Sequence, residues 1–436
     1  MDRHRRPKPR VRPRYIAAFW ALLIGLFVLQ AFQFLMGATE LPLMRSPLPQ
    51  APGAGTIIEV VETRHFAAAE VTQAARQNYG TAFRASNHGV TRVLVRYRST
   101  GQNNALVPIY GRAYIPDKAT NAPVLAMAPG TTGIGDGCAA SLEQPKVRNW
   151  ANYESHMMAY ASRGYGGIIT DYEGMRDPAR IHHYMVGVLE GRAVLDGVRA
   201  LKNLPQAHQL NTKQVFAGGY SQGGHSVYWA DSVAVDYAPD VELAGIIGWS
   251  PVMDVAETWR GVTAGSTLSW YGPYVLTSYS DFYGRNYNLP NILLPQWLPN
   301  LPTDVNNHCI DTNLGFWGID PVKVFTPQFL ADLRTGNLPV ERYGMLQTDL
   351  EANQVKGDRS TTPKLINQGM RDNVVLPSQQ PPALARLCAE SRAPASLKQY
   401  ANSNHYTVMR DSFNDTLAWM EQIRNRQRTA STCPAN

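Results

Sequence analysis

The sequence predicts an α/β protein built on a doubly wound, mostly parallel sheet. Short apolar segments recur along the chain, helical patterns separate them, and several of the segments end in Gly, Pro or Asp. Buried strands joined by helices are typical of parallel sheets, because a parallel connection has to cross over the sheet. A chain of 436 residues with 44% hydrophobic residues can bury a large core of this kind.

Seven segments are predicted to be strands. Residues 91–97 alternate between apolar and polar side chains, as expected of a strand with one buried face. The other six are short and mostly apolar: residues 124–128, 167–170, 214–218, 243–248, 364–367 and 396–400. Helical patterns over residues 187–204 and 225–237 lie among them, which favours a doubly wound sheet.

The N-terminus carries most of the net charge of +7. Residues 1–14 hold seven basic residues and one acidic residue, so the rest of the chain has a net charge of only +1. A nearly neutral body argues against nucleic acid as a partner. Residues 16–36 contain no charged side chain. A basic segment followed by an apolar one predicts export, through either a cleaved signal peptide or an uncleaved membrane anchor, with the remainder outside the cytoplasm.

The predicted organisation has four parts. Residues 1–38 comprise the basic N-terminus and the signal or anchor, and residues 39–55, rich in Pro, Gly and Ala, form a linker. The α/β core covers residues 56–251 and 362–436. Residues 252–361 separate two core strands by far more than a crossover needs. We expect them to form a largely helical cap over the strand ends, where a lipid-like substrate would be held.

Ser221 lies in a motif that presents a nucleophile. The pentapeptide Gly219-Tyr220-Ser221-Gln222-Gly223 fits G-x-S-x-G, follows an apolar strand and leads into a helical pattern. The turn must be tight, and small flanking residues let the strand and the helix approach closely. The backbone N–H of Gln222, at the start of the helix, is predicted to donate to a developing oxyanion.

Asp372 and His405 complete the predicted catalytic triad. In the usual chain order for this motif, an acidic residue follows a late strand and a histidine follows the last strand. Asp372 comes after the strand at 364–367, and His405 after the strand at 396–400. No other histidine follows His308. Two alternatives stay open, a turn-capping role for Asp372 and a surface position for His405.

A second oxyanion donor is predicted in the loop after the strand at 124–128. The loop reads Pro129-Gly130-Thr131-Thr132-Gly133 and offers backbone amides at a strand end. Thr131 is the first choice, and Gly130 and Thr132 are the alternatives.

The cysteines and the remaining histidines do not predict a metal site. His182 and His183 are adjacent, so they point to different faces of a helix and are not expected to bind one ion. His225 is predicted to support Ser221 or to be structural, and His308 to belong to the cap. An even number of cysteines without a CxxC pair fits two disulfides in an exported chain, with three possible connectivities. These are Cys138, Cys309, Cys388 and Cys433.

Five segments together carry a family resemblance. They are Tyr97-Arg98-Ser99-Thr100, Asp171-Tyr172-Glu173-Gly174, Gly191-Arg192-Ala193-Val194-Leu195-Asp196, Gly219-Tyr220-Ser221-Gln222-Gly223-Gly224 and Tyr237-Ala238-Pro239. The chain resembles, from about residue 55 to residue 433, the secretory lipase family of the α/β-hydrolase superfamily, which includes fungal lipase A and bacterial relatives. The sequence departs from the family in its anchor-like N-terminus. It also has Gly-Thr-Thr-Gly where some relatives carry an acidic residue near the oxyanion site.

The resemblance implies a secreted or envelope hydrolase of fatty-acyl esters that needs no metal or organic cofactor. It also implies the triad Ser221, Asp372 and His405, and the disulfides Cys138–Cys309 and Cys388–Cys433. The leading hypothesis is therefore an extracytoplasmic lipase or carboxylesterase that acts on triacylglycerol-like lipids through an acyl-enzyme. An amidase or peptidase of the same fold and a catalytically silent, membrane-tethered scaffold are the alternatives. Contact with a membrane is expected through residues 16–36 if they are not cleaved.

Overall fold

A nine-stranded sheet runs through the part of the chain that the structure describes. The structure is a computed structural model that describes residues 53–433, except 119, 145–146, 358–359 and 392. The strands are β1 Ile57–Phe66, β2 Val90–Thr100, β3 Leu106–Pro116, β4 Ala122–Ala128, β5 Gly166–Thr170, β6 Leu210–Tyr220, β7 Leu243–Trp249, β8 Lys364–Gly369 and β9 Ala395–Tyr400. Their order in the sheet is β1-β2-β3-β5-β4-β6-β7-β8-β9.

The predicted α/β class and mostly parallel sheet are confirmed. Strands β5, β4, β6, β7, β8 and β9 are parallel neighbours. The antiparallel pairs among the described strands are β1–β2, β2–β3 and β3–β5. Each of the seven predicted strands lies within β2 or one of β4 to β9.

The sequence prediction misses β1 and β3, and each omission has a physical reason. Most of β1 is exposed to solvent, so it shows no apolar alternation. Strand β3 contains Pro108 and Gly111, residue types that weaken the pattern of a strand. Both strands belong to the antiparallel side of the sheet, at or near its edge.

Helices cover both faces of the sheet. The helices outside the β7–β8 connection are α1 Ala68–Tyr79, α2 Tyr153–Ala161, α3 Gly187–Lys202, α4 Gln222–Tyr237, α12 Gln380–Glu390, α13 Val408–Asp411 and α14 Phe413–Arg424. One apolar cluster joins α3 and α4 to residues such as Val124 and Ala217 on one face. A second joins α2 and α14 to Leu125 and Phe216 on the other face. Adjacent strand residues thus serve opposite faces, as the period of two requires.

The long connection between β7 and β8 is helical. Its described residues form α5 Val255–Ala264, α6 Tyr271–Tyr283, α7 Leu301–Asn307, α8 Ile310–Trp317, α9 Pro327–Thr335, α10 Val340–Tyr343 and α11 Leu346–Ala352. Buried aromatic residues such as Trp259, Tyr274 and Phe329 give this insertion its own core. The same cluster includes Tyr184 and Val375 from loops that follow strands β5 and β8. The insertion therefore packs against the end of the sheet where those strands finish.

Two disulfides are present. Cys138–Cys309 joins the segment after β4 to the start of α8, and Cys388–Cys433 joins α12 to the C-terminal segment. Of the three connectivities that four cysteines allow, this is the one that the family resemblance implies.

The predicted signal or anchor at residues 16–36, and most of the predicted linker at 39–55, lie outside the described residues. Among the residues that are described, no helix combines the length and the apolar character needed to cross a membrane.

Candidate active site

Ser221 lies at the sharp turn between β6 and α4. Its φ of +55° and ψ of −116° form a backbone conformation that non-glycine residues rarely adopt. The turn is tight because strand and helix nearly touch. A Cβ atom at Gly219 would lie 1.8 Å from the carbonyl oxygen of Gly223, and one at Gly223 would lie 2.0 Å from that of Ala128. The glycines of the pentapeptide therefore allow the backbone to hold Ser221 at the end of the strand.

His405 and Asp372 approach Ser221 from the ends of two other strands. Nε2 of His405 lies 3.1 Å from Oγ of Ser221, and Nδ1 lies 2.8 Å from Oδ2 of Asp372. All three side chains are buried. The three residues predicted from the sequence thus form one hydrogen-bonded chain.

Asp372 is held by the turn that follows β8. Its Oδ1 atom accepts hydrogen bonds from the backbone N–H groups of Val374 and Val375, at 2.8 and 2.9 Å. Burial opposes ionisation of Asp372, but the neighbouring His405 and the hydrogen bonds outweigh it and lower the pKa of the carboxyl group. Asp372 therefore caps its turn with one oxygen and orients His405 with the other. Nδ1 of His405 then donates, which leaves Nε2 to accept the Ser221 proton.

Two backbone segments at Ser221 offer N–H donors. Gln222 is the first residue of α4, and within the described part of the chain no group accepts a hydrogen bond from its N–H. In the loop after β4, the N–H of Gly130 donates to the hydroxyl of Tyr153 at 2.7 Å. Gly130 is therefore already engaged, whereas the N–H groups of Thr131 and Thr132 have no acceptor among the described residues. The donors predicted first, Gln222 and Thr131, both stay available.

The β4 loop lies directly beside the nucleophile turn. A Cβ atom at Gly130 would lie 2.8 Å from the ring of Tyr220, next to Ser221. The hydroxyl groups of Thr131 and Tyr184 lie 2.8 Å apart, which fixes the threonine side chain. The carbonyl of Thr132 accepts from the N–H of Ile310 in α8, so the loop is also joined to the insertion.

Glu190, a buried carboxylate on α3, is not among the residues predicted from the sequence. Its oxygens accept hydrogen bonds from Nε2 of Gln222 and Nδ1 of His225, each at 2.7 Å. His225 is fully buried, as expected of a residue that supports the nucleophile helix. A glutamate in a predicted helix is most often exposed to solvent. The apolar residues Leu189 and Ala193 beside it are the sequence feature that indicates a buried face on this part of the helix.

His182, His183 and His308 each contact a different part of the structure. Nε2 of His182 lies 3.0 Å from Nε2 of Gln222, whereas His183 contacts Asp281 at 2.8 Å. The two residues lie in the loop before α3 and not in a helix, so the predicted reason for their different directions is wrong. His308 stacks on Phe316 within the insertion. No group of metal-binding side chains is found in the part of the chain that the structure describes.

Sequence comparison identifies relatives of this chain. The profile of the family described as secretory lipase matches residues 151–431. Lipase A of Moesziomyces aphidis is 29% identical over 188 residues, which cover 39% of this chain and 37% of that protein. Secreted triacylglycerol lipase LIP2 of Malassezia furfur is 24% identical over 256 residues, 56% of this chain and 52% of that protein. The chain thus spans between about a third and a half of the length of these two relatives.

The fold is similar to that of a solved lipase structure. Candida antarctica lipase A in its closed state superposes with a TM-score of 0.64 at 20% identity. The match covers 87% of this chain and 85% of that one. At this identity the likeness shows the fold alone, and that fold is the mostly parallel α/β sheet of the α/β-hydrolase lipases.

Proposed function

Because the chain belongs to the secretory lipase family, we propose that it hydrolyses fatty-acyl esters outside the cytoplasm through an acyl-enzyme formed on Ser221. The observation that carries the proposal is the hydrogen-bonded chain from Asp372 through His405 to Ser221. Such a chain converts a weakly nucleophilic hydroxyl into one that loses its proton as it attacks.

The proposed reaction has two halves. Oγ of Ser221 attacks the ester carbonyl while Nε2 of His405 takes its proton, and the backbone N–H groups of Gln222 and Thr131 hold the oxyanion. As the tetrahedral intermediate collapses, His405 returns the proton to the departing alcohol. A water molecule then attacks the acyl-enzyme with His405 again as the base. The fatty acid leaves, and Ser221 regains its proton.

The insertion supports lipid as the substrate class. We assign residues 252–361 as a cap over a core formed by residues 56–251 and 362–436. The cap packs at the strand ends that carry the candidate site. Its helix α8 and the segment that follows expose apolar side chains, with Leu314 65% and Val322 59% accessible. Exposed apolar groups suit a protein that works at a lipid surface.

Export is the proposed location. The two disulfides suit an oxidising compartment outside the cytoplasm, and the family is secretory. Residues 16–36 then act as either a cleaved signal or a membrane anchor.

A panel of p-nitrophenyl esters with short to long acyl chains, assayed with the full chain and with Ser221→Ala, tests the proposal. We expect turnover of esters by the wild type and its loss in the variant, together with fluorophosphonate labelling of Ser221. Cleavage of matched amides in preference to esters would favour an amidase or peptidase. Failure of Ser221 to react with the fluorophosphonate, without turnover of any ester, would favour the silent scaffold.

A further inference from the structure

The carboxylate of Glu190 lies beneath the nucleophile turn and is only 1% exposed. Its Oε1 atom accepts from Nε2 of Gln222 at 2.7 Å and from the N–H of Met185 at 2.9 Å. Its Oε2 atom faces Nδ1 of His225 at 2.7 Å. Oγ of Ser226 lies 3.2 Å from Oε2, and its one proton is also within reach of the carbonyl of Gln222 at 3.0 Å. Contacts with three nitrogen atoms therefore hold the carboxylate in one position.

His225 faces hydrogen-bond acceptors on both sides of its ring. Its Nε2 atom lies 2.8 Å from the carbonyl oxygen of Asn353, and its Nδ1 atom faces Glu190. A carbonyl oxygen only accepts, so Nε2 carries a proton. The contact between Nδ1 and a carboxylate oxygen requires a second proton. The pair formed by Glu190 and His225 therefore holds one proton more than a carboxylate beside a neutral imidazole. Its net charge is zero.

This neutrality matters because of where the pair lies. Gln222 is the first residue of α4, and its backbone N–H is the proposed oxyanion donor. An uncompensated carboxylate hydrogen-bonded to the same residue would oppose negative charge developing on the substrate oxygen. With the shared proton in place, Glu190 can hold the Gln222 side chain without that opposition. Burial also opposes ionisation of Glu190, but the contacts with His225, His182 and Gln222 outweigh it and lower the pKa of Glu190.

The same pair joins the nucleophile helix to the insertion. The carbonyl of Asn353, which directly follows α11, also accepts from Nε1 of Trp229 at 3.3 Å. The side-chain oxygen of Asn353 accepts from the N–H of Gly187, at the start of α3, at 3.0 Å. Helices α3 and α4 and the end of the insertion therefore meet at His225.

We propose that Glu190 and His225 are positioning residues, whose proton-sharing pair holds Gln222 and thereby aims the backbone N–H that binds the oxyanion. The inference rests on the proposed serine hydrolysis. It assigns the pair no contact with the substrate. Loss of the pair should therefore impair the transition state more than substrate binding.

Steady-state hydrolysis of p-nitrophenyl butyrate by the full-length Glu190→Ala variant, which removes every contact to Gln222 and His225, tests the proposal. We expect kcat to fall at least about tenfold while KM stays within about twofold, because a misaimed donor weakens oxyanion binding. Asp196→Ala is the matched control. Asp196 lies on the same helix and is fully buried, but its partners are Ser99, Thr100, Arg199 and Tyr237. This control should lose thermal stability while keeping its kcat.

Equal losses of kcat in the Glu190→Ala and Asp196→Ala variants, or an unchanged kcat in Glu190→Ala, would overturn the proposal. If Glu190→Ala does not fold, the Gln222→Ala variant is the deciding test, since it removes the hydrogen bond to Glu190 and keeps the backbone N–H of residue 222. A lowered kcat with an unchanged KM supports the proposal, and a wild-type kcat contradicts it.

A spectroscopic measurement separates this inference from the proposed function. In protein labelled with ¹⁵N-histidine, with His225→Gln for assignment, we expect a proton on Nε2 of His225 and a hydrogen-bonded proton between Nδ1 and Glu190. A bare Nε2, or an Nδ1 atom that shares no proton with Glu190, would overturn the pairing whether or not the protein cleaves esters. Unchanged turnover in Ser221→Ala, by contrast, would remove the proposed function and leave the His225 signals as found.

Discussion

Nε2 of His405 lies 3.1 Å from Oγ of Ser221, although the two residues are 184 positions apart in the chain. The contact exists because β6 and β9 run parallel in one sheet, so the loops that follow them meet at the same edge. Helices and the whole insertion occupy the intervening sequence without separating the two side chains.

Asp372→Asn tests whether the carboxylate orients His405. The amide can donate to Nδ1 and so favours the tautomer whose Nε2 carries a proton and cannot accept one from Ser221. We expect kcat for p-nitrophenyl esters to fall by about 10⁴-fold with little change in KM. The double variant Ser221→Ala/His405→Ala should be no slower than Ser221→Ala, because the two residues act as a unit. A kcat of Asp372→Asn within tenfold of the wild type would contradict the assignment.

Gly219→Ala should destabilise the nucleophile turn. The added methyl group would lie 1.8 Å from the backbone oxygen of Gly223, which cannot move without shifting α4. We expect a loss of about 3 kcal/mol or more in the free energy of unfolding, measured by chemical denaturation, together with loss of ester turnover. Gly315→Ala in α8 is the control, because nothing lies within 4 Å of its Cβ position. It should stabilise the protein by up to about 1 kcal/mol. Equal effects of the two substitutions would exclude the steric explanation.

The order of residues along the chain made most of the candidate site predictable. Ser221 is marked by its glycines, Asp372 by the strand before it, and His405 by the absence of any other histidine after His308. The two predicted alternatives for Asp372 turn out to be compatible, since one oxygen caps the turn while the other meets His405.

The rest of the site depends on contacts that no local pattern encodes. Gly130 is unsuited to donate to an oxyanion only because Tyr153, 23 residues away, takes its N–H. Glu190 meets Gln222 and His225 from another helix, more than 30 positions distant. A single sequence gives the identity of these side chains but not their partners.

His183 should make stability depend on pH. Its Nε2 atom lies 2.8 Å from Asp281 and its Nδ1 atom 3.6 Å from Glu173. Burial opposes protonation of His183, but the two carboxylates outweigh it and raise the pKa of the imidazole. The folded state thus favours the charged ring. This stabilisation is fully present below the unfolded pKa of about 6.5 and is lost as the pH rises through the higher folded pKa.

The His183→Gln variant tests the predicted direction of this pH dependence. The Tm of the variant should lie below that of the wild type near pH 5.5, and the difference should shrink as the pH approaches about 9. His208→Gln is the control, because that side chain is exposed and lies 2.8 Å from the carbonyl of Pro205. Its Tm should stay close to that of the wild type at both pH values. A difference for His183→Gln that grows toward alkaline pH would contradict the predicted direction.

The two disulfides should differ in their effect on turnover. Cys138–Cys309 joins the segment after β4 to α8, and Thr132 of the β4 loop also accepts the N–H of Ile310. The Cys138→Ala/Cys309→Ala variant should therefore lose both stability, by about 5 kcal/mol for so long a loop, and kcat, because the Thr131 N–H is less firmly held. Cys388–Cys433 joins α12 to the C-terminal segment.

The Cys388→Ala/Cys433→Ala variant is accordingly the matched control. It should lower the Tm while its kcat for p-nitrophenyl esters, measured well below that Tm, stays within about twofold of the wild type. When both variants are assayed well below their own Tm, a loss of stability alone does not produce a difference in kcat. If the two variants lose kcat equally, the Cys138–Cys309 bond only stabilises the fold, and the position of the β4 loop does not depend on it.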